Sequence, residues 1–272
     1  MNLFELTAQP DGWQTYADEQ EERVGFFTDT SVCIGCKACE VACKEWNALP
    51  TEGLEFLALS YDNTGALGSD TWRHVAFIEQ KRDGGVRWLM NSDVCKHCTR
   101  AACLDVCPTG ALFRTEFGTV VVQQDVCNGC GYCVPACPFG VLDRREGDGR
   151  VWKCTLCYDR LKDDKEPACA QACPTNSIQF GPLSEMRDRA RRRVEELHAA
   201  GTEEARLYLA DESDGVEGGG SIFLLLDDPH VYGLPDQPEA STHHLGDMWK
   251  TAALAAGAIA LGVAGAFLGG RR

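Results

Sequence analysis

Sixteen cysteines, gathered into four groups of four, constrain this 272-residue chain more than any other feature. The third group reads Cys127-Asn-Gly-Cys130-Gly-Tyr-Cys133-Val-Pro-Ala-Cys137-Pro138, a C-x2-C-x2-C-x3-C-P run. Cys33, Cys36, Cys39 and Cys43 have the same spacing. Cys95, Cys98, Cys103 and Cys107 run C-x2-C-x4-C-x3-C-P, and Cys154, Cys157, Cys169 and Cys173 run C-x2-C-x11-C-x3-C-P. In such a run three thiolates grip one cubane of iron and sulfide, and the fourth, turned away by the proline, serves a neighbouring cubane. Four [4Fe–4S] clusters would use every thiol with none left over.

Other uses of cysteine fit less well. Disulfide frameworks suit short secreted chains, and three cysteines within a seven-residue stretch crowd rather than bridge. Zinc sites favour separated pairs or mixtures with histidine. Unligated core cysteines have no reason to keep such spacing. The formal charge of −15 argues against nucleic acid as a partner, and oxidised clusters add further negative charge. An acidic surface suits docking to other proteins.

Residues 1–20 are acidic and mixed, an arm lying on a partner or a surface tail. The N-terminus has no basic region followed by an apolar core, so no secretory or twin-arginine signal is visible. Cluster assembly needs reduced thiols, which places maturation in the cytosol. Thr71 to Glu79 alternates as a strand, Asp83-Gly84-Gly85 signals a turn, and Val86 to Met90 forms a second strand. Together they predict a hairpin inserted beside a cluster domain. His74 on its first strand is expected to be structural. Between Cys107 and Cys127, Pro108 to Arg114 and then Gly118 to Val122 read as turn, short strand, turn and strand, the plan of a ferredoxin half. Residues 138–153 repeat it around Gly147-Asp148-Gly149, and Pro174 to Gly181 mirrors the segment after Cys107. The second and third groups then form two halves of one compact module, although spacing alone lets the third group pair with either neighbour.

Beyond Cys173, Leu183, Met186, Ala190, Val194 and Leu197 recur at helical spacing, with Gly201 as a stop. This helix carries Arg187, Arg189, Arg191, Arg192 and Arg193, a solvated basic face or a contact with an acidic partner. Residues 213–220 are a Gly-rich loop, and Ser221 to Leu226 a buried strand. Pro229, Pro235 and Pro238 make 230–239 an extended linker. Residues 251–270 hold no charge, match the thickness of a hydrocarbon core, and are bordered by Trp249 and Lys250 and by Arg271 and Arg272. Ala258, Gly262 and Ala266 form a small-residue face for close helix packing. A membrane-spanning helix over 249–270 is predicted.

Several stretches resemble the iron–sulfur (beta) subunit of respiratory formate dehydrogenase. They are Gly25 to Thr28, Cys36 to Asn47, Gly129 to Cys133, Lys153 to Arg160, and the tail His230 to Pro235. The cysteine pattern alone is shared with electron-transfer subunits of dimethyl sulfoxide, thiosulfate and polysulfide reductases and some hydrogenases; Trp46-Asn47, the tail and the single anchor favour formate dehydrogenase. The resemblance implies an α+β fold of two ferredoxin-like modules, each binding two [4Fe–4S] clusters, plus the C-terminal transmembrane helix. One module takes residues 1–94 and 138–181 with the first and fourth groups, and the other takes 95–137 with the second and third. A helix and tail over 182–248 and the anchor over 249–270 complete the chain. Nested pairing is implied: Cys33, Cys36, Cys39 and Cys173 hold one cluster; Cys43, Cys154, Cys157 and Cys169 another; Cys95, Cys98, Cys103 and Cys137 a third; Cys107, Cys127, Cys130 and Cys133 the last. Cys43 is followed by Lys44 rather than proline, which within this family is usual. The related nitrate-reductase subunit replaces one cysteine with tryptophan, whereas here all four of the third group are present.

What the resemblance implies about function is an electron wire, not an enzyme. A molybdenum or tungsten pterin catalytic alpha subunit oxidises formate, and a membrane cytochrome b gamma subunit passes the electrons to quinone. The alternatives are the same role beside a sulfur-compound reductase or hydrogenase, and a free polyferredoxin shuttle. With every iron fully thiolate-ligated, no open position remains for substrate. Lys37, Lys96, His97 and Lys153 each adjoin a ligand cysteine, where a positive charge raises a cluster's potential or bridges two clusters; facing solvent is the plainer expectation. Two basic residues follow the anchor and one precedes it, so a single-pass chain has a cytoplasmic C-terminus and its cluster body on the outer, periplasmic face. A body on the cytoplasmic face is the alternative.

Overall fold

The computed structural model of the protein describes residues 22–51, 56–82 and 84–269. The N-terminal arm, Asp83 of the hairpin turn and the two arginines after the anchor lie outside them. In chain order the elements are β1 (Val24–Asp29), α1 (Ala38–Trp46), β2 (Arg73–Arg82), β3 (Gly85–Val94), α2 (Ala102–Asp105), β4 (Leu112–Arg114), β5 (Val120–Val122), α3 (Cys133–Ala136), β6 (Asp143–Arg144), β7 (Val151–Trp152), α4 (Tyr158–Leu161), α5 (Ala168–Gln171), β8 (Ile178–Pro182), α6 (Leu183–Ala199), β9 (Arg206–Tyr208), β10 (Ser221–Leu225) and α7 (Leu245–Gly269).

A four-stranded sheet of order β8-β1-β10-β9 divides the interior. β1 runs parallel to β10 and antiparallel to β8. Period-two alternation sorts its side chains between two cores. Phe26, Phe223 and Leu225 face the main core, where the cysteines lie. Phe27, Ile222 and Leu224 face Leu183, Met186 and Ala190 of α6. The predicted helical stripe is thus what covers the sheet's far side, each buried Leu or Met contributing roughly 1.5–3 kcal/mol. Gly201, at φ +89°, ends the helix just beyond its Ala200 cap, with Thr202 N–H returning to the Leu197 carbonyl at 2.8 Å. Gly25 is needed for close approach: a Cβ there would sit 2.4 Å from the carbonyl oxygen of Gly220.

The predicted hairpin is present with continuous register from Arg73 opposite Val94 to Arg82 opposite Gly85. The short pairs β4–β5 and β6–β7 stand where the ferredoxin-like plan puts them. Four of the five arginines of α6 pair with this chain's own carboxylates: Arg187 with Glu212, Arg189 with Glu185, Arg191 with Asp188, and Arg193 with the buried Asp29 at 2.9 Å.

Two segments differ from expectation. The run expected to be extended contains a 3-10 turn at Pro229–Tyr232 and is packed rather than crossing a surface. Tyr232, Leu234 and Ala240 are buried, the Tyr232 hydroxyl accepts from Leu226 N–H, and Tyr208 donates to the Pro235 carbonyl. Prolines here mark kinks around buried anchors. The apolar helix α7 begins at Leu245, before the predicted 249, because Gly-Asp-Met-Trp-Lys contains nothing to stop it. Its large apolar side chains are exposed, Leu254 by 76% and Phe267 by 77%. At 25 residues it is roughly 37 Å long, enough to cross a bilayer.

Candidate metal centres

All four cysteine groups begin with the same backbone device. The residue immediately before the second cysteine is left-handed in each: Gly35 at φ +65°, His97 at +43°, Gly129 at +72° and Leu156 at +57°. This conformation curls the loop so that successive N–H groups face one side, a nest suited to an anionic group. At the fourth group Leu156 N–H lies 3.3 Å from Cys154 Sγ. Glycine is obligatory at 35, where a Cβ would fall 2.6 Å from the Phe77 ring. His97 and Leu156 hold the strained conformation at a cost of roughly 1–3 kcal/mol each. The third cysteine of each group stands at the first or second residue of a helix, and in the first group α1 sets Cys39 and Cys43 one turn apart on its buried side.

Thiols that the resemblance groups together have one another as neighbours, directly at one site and through their mutual charge at the others. Cys33, Cys36, Cys39 and Cys173 line one small concave site, together with Lys37, Ser92 and Ser177. Burial, then the thiols of Cys154, Cys169 and Cys157, push Cys43 far above its ordinary range. Burial, then Cys95, Cys103 and Cys137, do the same to Cys98. Burial, with Cys107, Cys127 and Cys130 beside it, raises Cys133 to about 11. Each set is an all-sulfur donor group whose thiolates, bare, would repel one another in a dry interior. Bound iron stabilises them as thiolates and releases their protons, so the residues fit iron–sulfur clusters.

The sets are also ordered in space. Cys39 of the first set is raised to about 11 by burial and by Cys169 of the second. Cys154 of the second is raised to about 12 by burial and by Cys95 of the third. Cys103 of the third is raised to about 12 by burial and by thiols that include Cys133 of the fourth. The outer sets reach the surface, through exposed Cys36 in the first and Cys130 in the fourth.

The cations beside the cysteines have different surroundings. Lys153 is buried and donates to Cys95 Sγ at 3.6 Å, to the Cys154 carbonyl at 2.8 Å, and to the Val120 carbonyl. Lys96 is buried over the rings of Phe139 and Phe223 and pairs with Asp93. Lys37 turns into a carboxylate cage, 2.6 Å from Asp62 and 3.1 Å from Glu40. His74 closes that cage on Asp62 at 2.6 Å, the structural role expected of it. Three metal-ligand types meet here, but the Lys37 ammonium already occupies the cation position. Burial, reinforced by the charges of Lys153, Arg23 and Arg114, holds His97 well below its ordinary range, so it is neutral. Its Nδ1 accepts from Val120 N–H at 3.1 Å.

Other groups at the sulfurs are not singled out by spacing. Thr109 and Thr175 occupy matching places after Cys107-Pro and Cys173-Pro, each hydroxyl 3.7 or 3.8 Å from its cysteine sulfur. The repeated Cys-Pro-Thr is visible in the sequence and marks them. Asn47 Nδ2 lies 3.7 Å from Cys43 Sγ, and Ser92 Oγ 3.3 Å from Cys39 Sγ. Arg73, wholly buried, has no sequence signal at all.

Two domain families, each described as a 4Fe-4S dicluster domain, match residues 32–111 and 86–183, a span that contains all sixteen cysteines. The chain is similar to the "Formate dehydrogenase, nitrate-inducible, iron-sulfur subunit" of Escherichia coli, with 40% identity over 238 residues, 86% of this chain and 79% of that protein. It is 38% identical to the "Formate dehydrogenase iron-sulfur subunit" of Haemophilus influenzae over 250 residues, 90% of this chain and 78% of the other. A shorter match, 40% over 169 residues, joins 60% of this chain to 75% of a subunit of the anaerobic dimethyl sulfoxide reductase of Escherichia coli. The dicluster matches and the sixteen cysteines support four [4Fe–4S] clusters.

Proposed function

Because this protein belongs to the family of formate dehydrogenase iron–sulfur subunits, we propose that it carries electrons from a formate-oxidising molybdenum or tungsten pterin subunit to a membrane cytochrome b. It is an electron-transfer subunit of an oxidoreductase complex, not the seat of the substrate chemistry. What supports the reading is that thiols of successive sets act on one another through their charge, while the first and fourth sets each hold an exposed cysteine. A [4Fe–4S] cluster accepts and returns one electron when bound. The protein's part is to space the sites, bury the second set completely and leave an exposed cysteine at the first and at the fourth for partners to approach.

The ligand sets of this proposal are Cys33, Cys36, Cys39 and Cys173; Cys43, Cys154, Cys157 and Cys169; Cys95, Cys98, Cys103 and Cys137; and Cys107, Cys127, Cys130 and Cys133. They give two ferredoxin-like modules with two clusters each. Direction along the array follows from the anchor's root. Thr242, just before α7, donates to Asp105, which lies between Cys103 and Cys107, at 2.6 Å. That contact puts the anchor's root at the second cysteine group, whose Cys107 belongs to the set with an exposed cysteine, so the reading takes the Cys107 set as the exit toward the membrane and the Cys33 set as the entry from the catalytic subunit. α7 is the anchor, with the cluster body on the outer face. Lys153 and Lys96 supply positive charge to the inner sites.

The test is purification of the complex through this subunit, with metal analysis and a formate-dependent dye-reduction assay. Co-purified molybdenum or tungsten and formate-driven reduction of the dye are expected. The likeness to a dimethyl sulfoxide reductase subunit supports one rival, the same wire beside a sulfur-compound reductase. A co-purified large subunit that turns over a sulfoxide and ignores formate would establish that rival instead.

A further inference from the structure

Arg73 opens β2, in the hairpin inserted between the first two cysteine groups. Nothing in its sequence neighbourhood distinguishes it from a strand cation on a wet face. In the structure it is 1% exposed and among the largest fully buried side chains. Its Nη1 donates to the carbonyl of Ser92 at 3.2 Å and to Ser92 Oγ at 3.0 Å. Ser92 Oγ in turn lies 3.3 Å from Cys39 Sγ. The guanidinium sits over the Phe26 ring, 4.8 Å from its centroid. Its Nε and Nη2 meet no acceptor among the described residues, and no carboxylate among them pairs with it.

A buried, unpaired cation with orphaned donors is costly unless something anionic answers it. The groups whose charge acts on Arg73 identify what answers. Burial opposes its charge, but the thiols of Cys169, Cys39, Cys154 and Cys43 outweigh burial and hold it above the ordinary guanidinium range. Cys39 belongs to the first set, and Cys43, Cys154 and Cys169 to the second. Geometry ties the side chain to the first site through Ser92, and α1, which packs on the strand that Arg73 opens, carries both Cys39 of the first set and Cys43 of the second; the remaining N–H groups of Arg73 lie within the same dry interior. Lys37, the nearer candidate by sequence, is neutralised by Glu40 and Asp62.

We propose that Arg73 is the shared counter-cation of the first two cluster sites, its free N–H groups serving as donors to both and its fixed charge favouring the reduced state of both. The inference rests on the four-cluster reading above. One electron entering either site adds one negative charge and takes up no proton, so a fixed cation between them raises both midpoint potentials. Guanidinium suits the place because it stays charged when buried and presents a planar fork of donors.

The test is an EPR-monitored redox titration of the purified complex containing Arg73→Gln, Arg73→Met or Arg73→Lys. The two signals concerned are identified beforehand as those altered by Cys39→Ser and Cys154→Ser. In the neutral variants both midpoints should move to lower potential while the other two stay in place, and Arg73→Lys should recover most of the shift. Four unchanged midpoints in a loaded neutral variant, or a shift confined to one signal or spread over all four, would overturn the proposal. Should the neutral variants fail to load, Arg73→Lys decides. Loaded, with no more than a small downward shift confined to those two signals, it supports the proposal; a shift at the other two signals, or failure to load, makes Arg73 a folding residue and nothing more. Unaltered protein with iron far from about sixteen atoms refutes the four-cluster reading itself, which separates that failure from this one.

Discussion

The ammonium of Lys153 donates to the sulfur of Cys95 at 3.6 Å, across 58 positions of sequence. The same nitrogen holds the carbonyl of Cys154, so one buried cation touches the second and third thiol sets at once. Lys153→Met removes the charge while roughly keeping the volume. It should lower the midpoint potentials of those two clusters and leave the outer pair unmoved. Loss of about 1.4 kcal/mol of preference for a one-electron-reduced site corresponds to roughly 60 mV, so a shift of this order is expected in a redox titration. Equal displacement of all four midpoints would point to a global loosening of the fold instead.

Cluster number and pairing can be checked together. Anaerobically purified protein should hold about sixteen irons and sixteen acid-labile sulfides per polypeptide. Tightly bound zinc, or about half that iron, contradicts four cubanes. Cys43→Ser and Cys154→Ser should alter the same EPR signal, whereas Cys43→Ser and Cys95→Ser should alter different ones. The reverse outcome would mean that the first cysteine group is not interleaved with the fourth.

Much of this arrangement was legible because iron ligation writes itself as local spacing, and because long periodic segments declare their faces. The hairpin of β2 and β3, the apolar stripe of α6 and the buried strand β10 stand where the sequence predicts them. β9, three residues long, is too short for alternation to appear. The packed run around Tyr232 was obscured because its prolines read as extension while its anchors are single side chains. Tuning groups were legible only where they adjoin a cysteine. Lys153 and Lys96 are buried at the thiol sets, but Lys37 is turned into carboxylates and His97 is neutral. Arg73 and Ser92 reach the sulfurs through tertiary packing of an inserted hairpin, and no spacing records that.

The cage around Lys37 makes a pH-dependent contribution to stability. Burial alone would raise the Asp62 carboxyl, but hydrogen bonds from Lys37, His74 and the Thr64 backbone outweigh it and hold the group well below the carboxylate range. A depressed acid stabilises the fold above its unfolded value of about 3.9 and loses that contribution as pH falls through its lower folded value. Asp62→Asn should therefore cost about 1–3 kcal/mol at neutral pH, since it removes the charge that faces Lys37 and turns an NH2 donor toward groups that met the second carboxylate oxygen. The deficit should stay level from pH 7 to about 4 and narrow below that. Thermal unfolding followed by circular dichroism across this range checks it; a deficit that grows on acidification would contradict the assignment of Asp62 as the depressed group.

Sidedness of the membrane is the last consequence to test. α7 exposes its large apolar side chains, and its uncharged part from Thr251 onward matches in length a hydrocarbon core of about 30 Å, with the turn that carries Asp247 and Lys250 left at the border. Within the flanking stretches that set orientation, Lys250 precedes the apolar span while Arg271 and Arg272 follow it. Histidines 243 and 244 are mostly neutral and count little. Two positive charges against one favour the following side as cytoplasmic, which puts the cluster body outside the cytoplasmic membrane. Protease added to intact spheroplasts should then digest the body without any permeabilisation. If the body survives until the membrane is opened, it faces the cytoplasm. Replacing Arg271 and Arg272 with glutamine should weaken the preference, producing a mixed population in the same assay. Indifference of the topology to those two charges would shift the cause to the folded body and its partner.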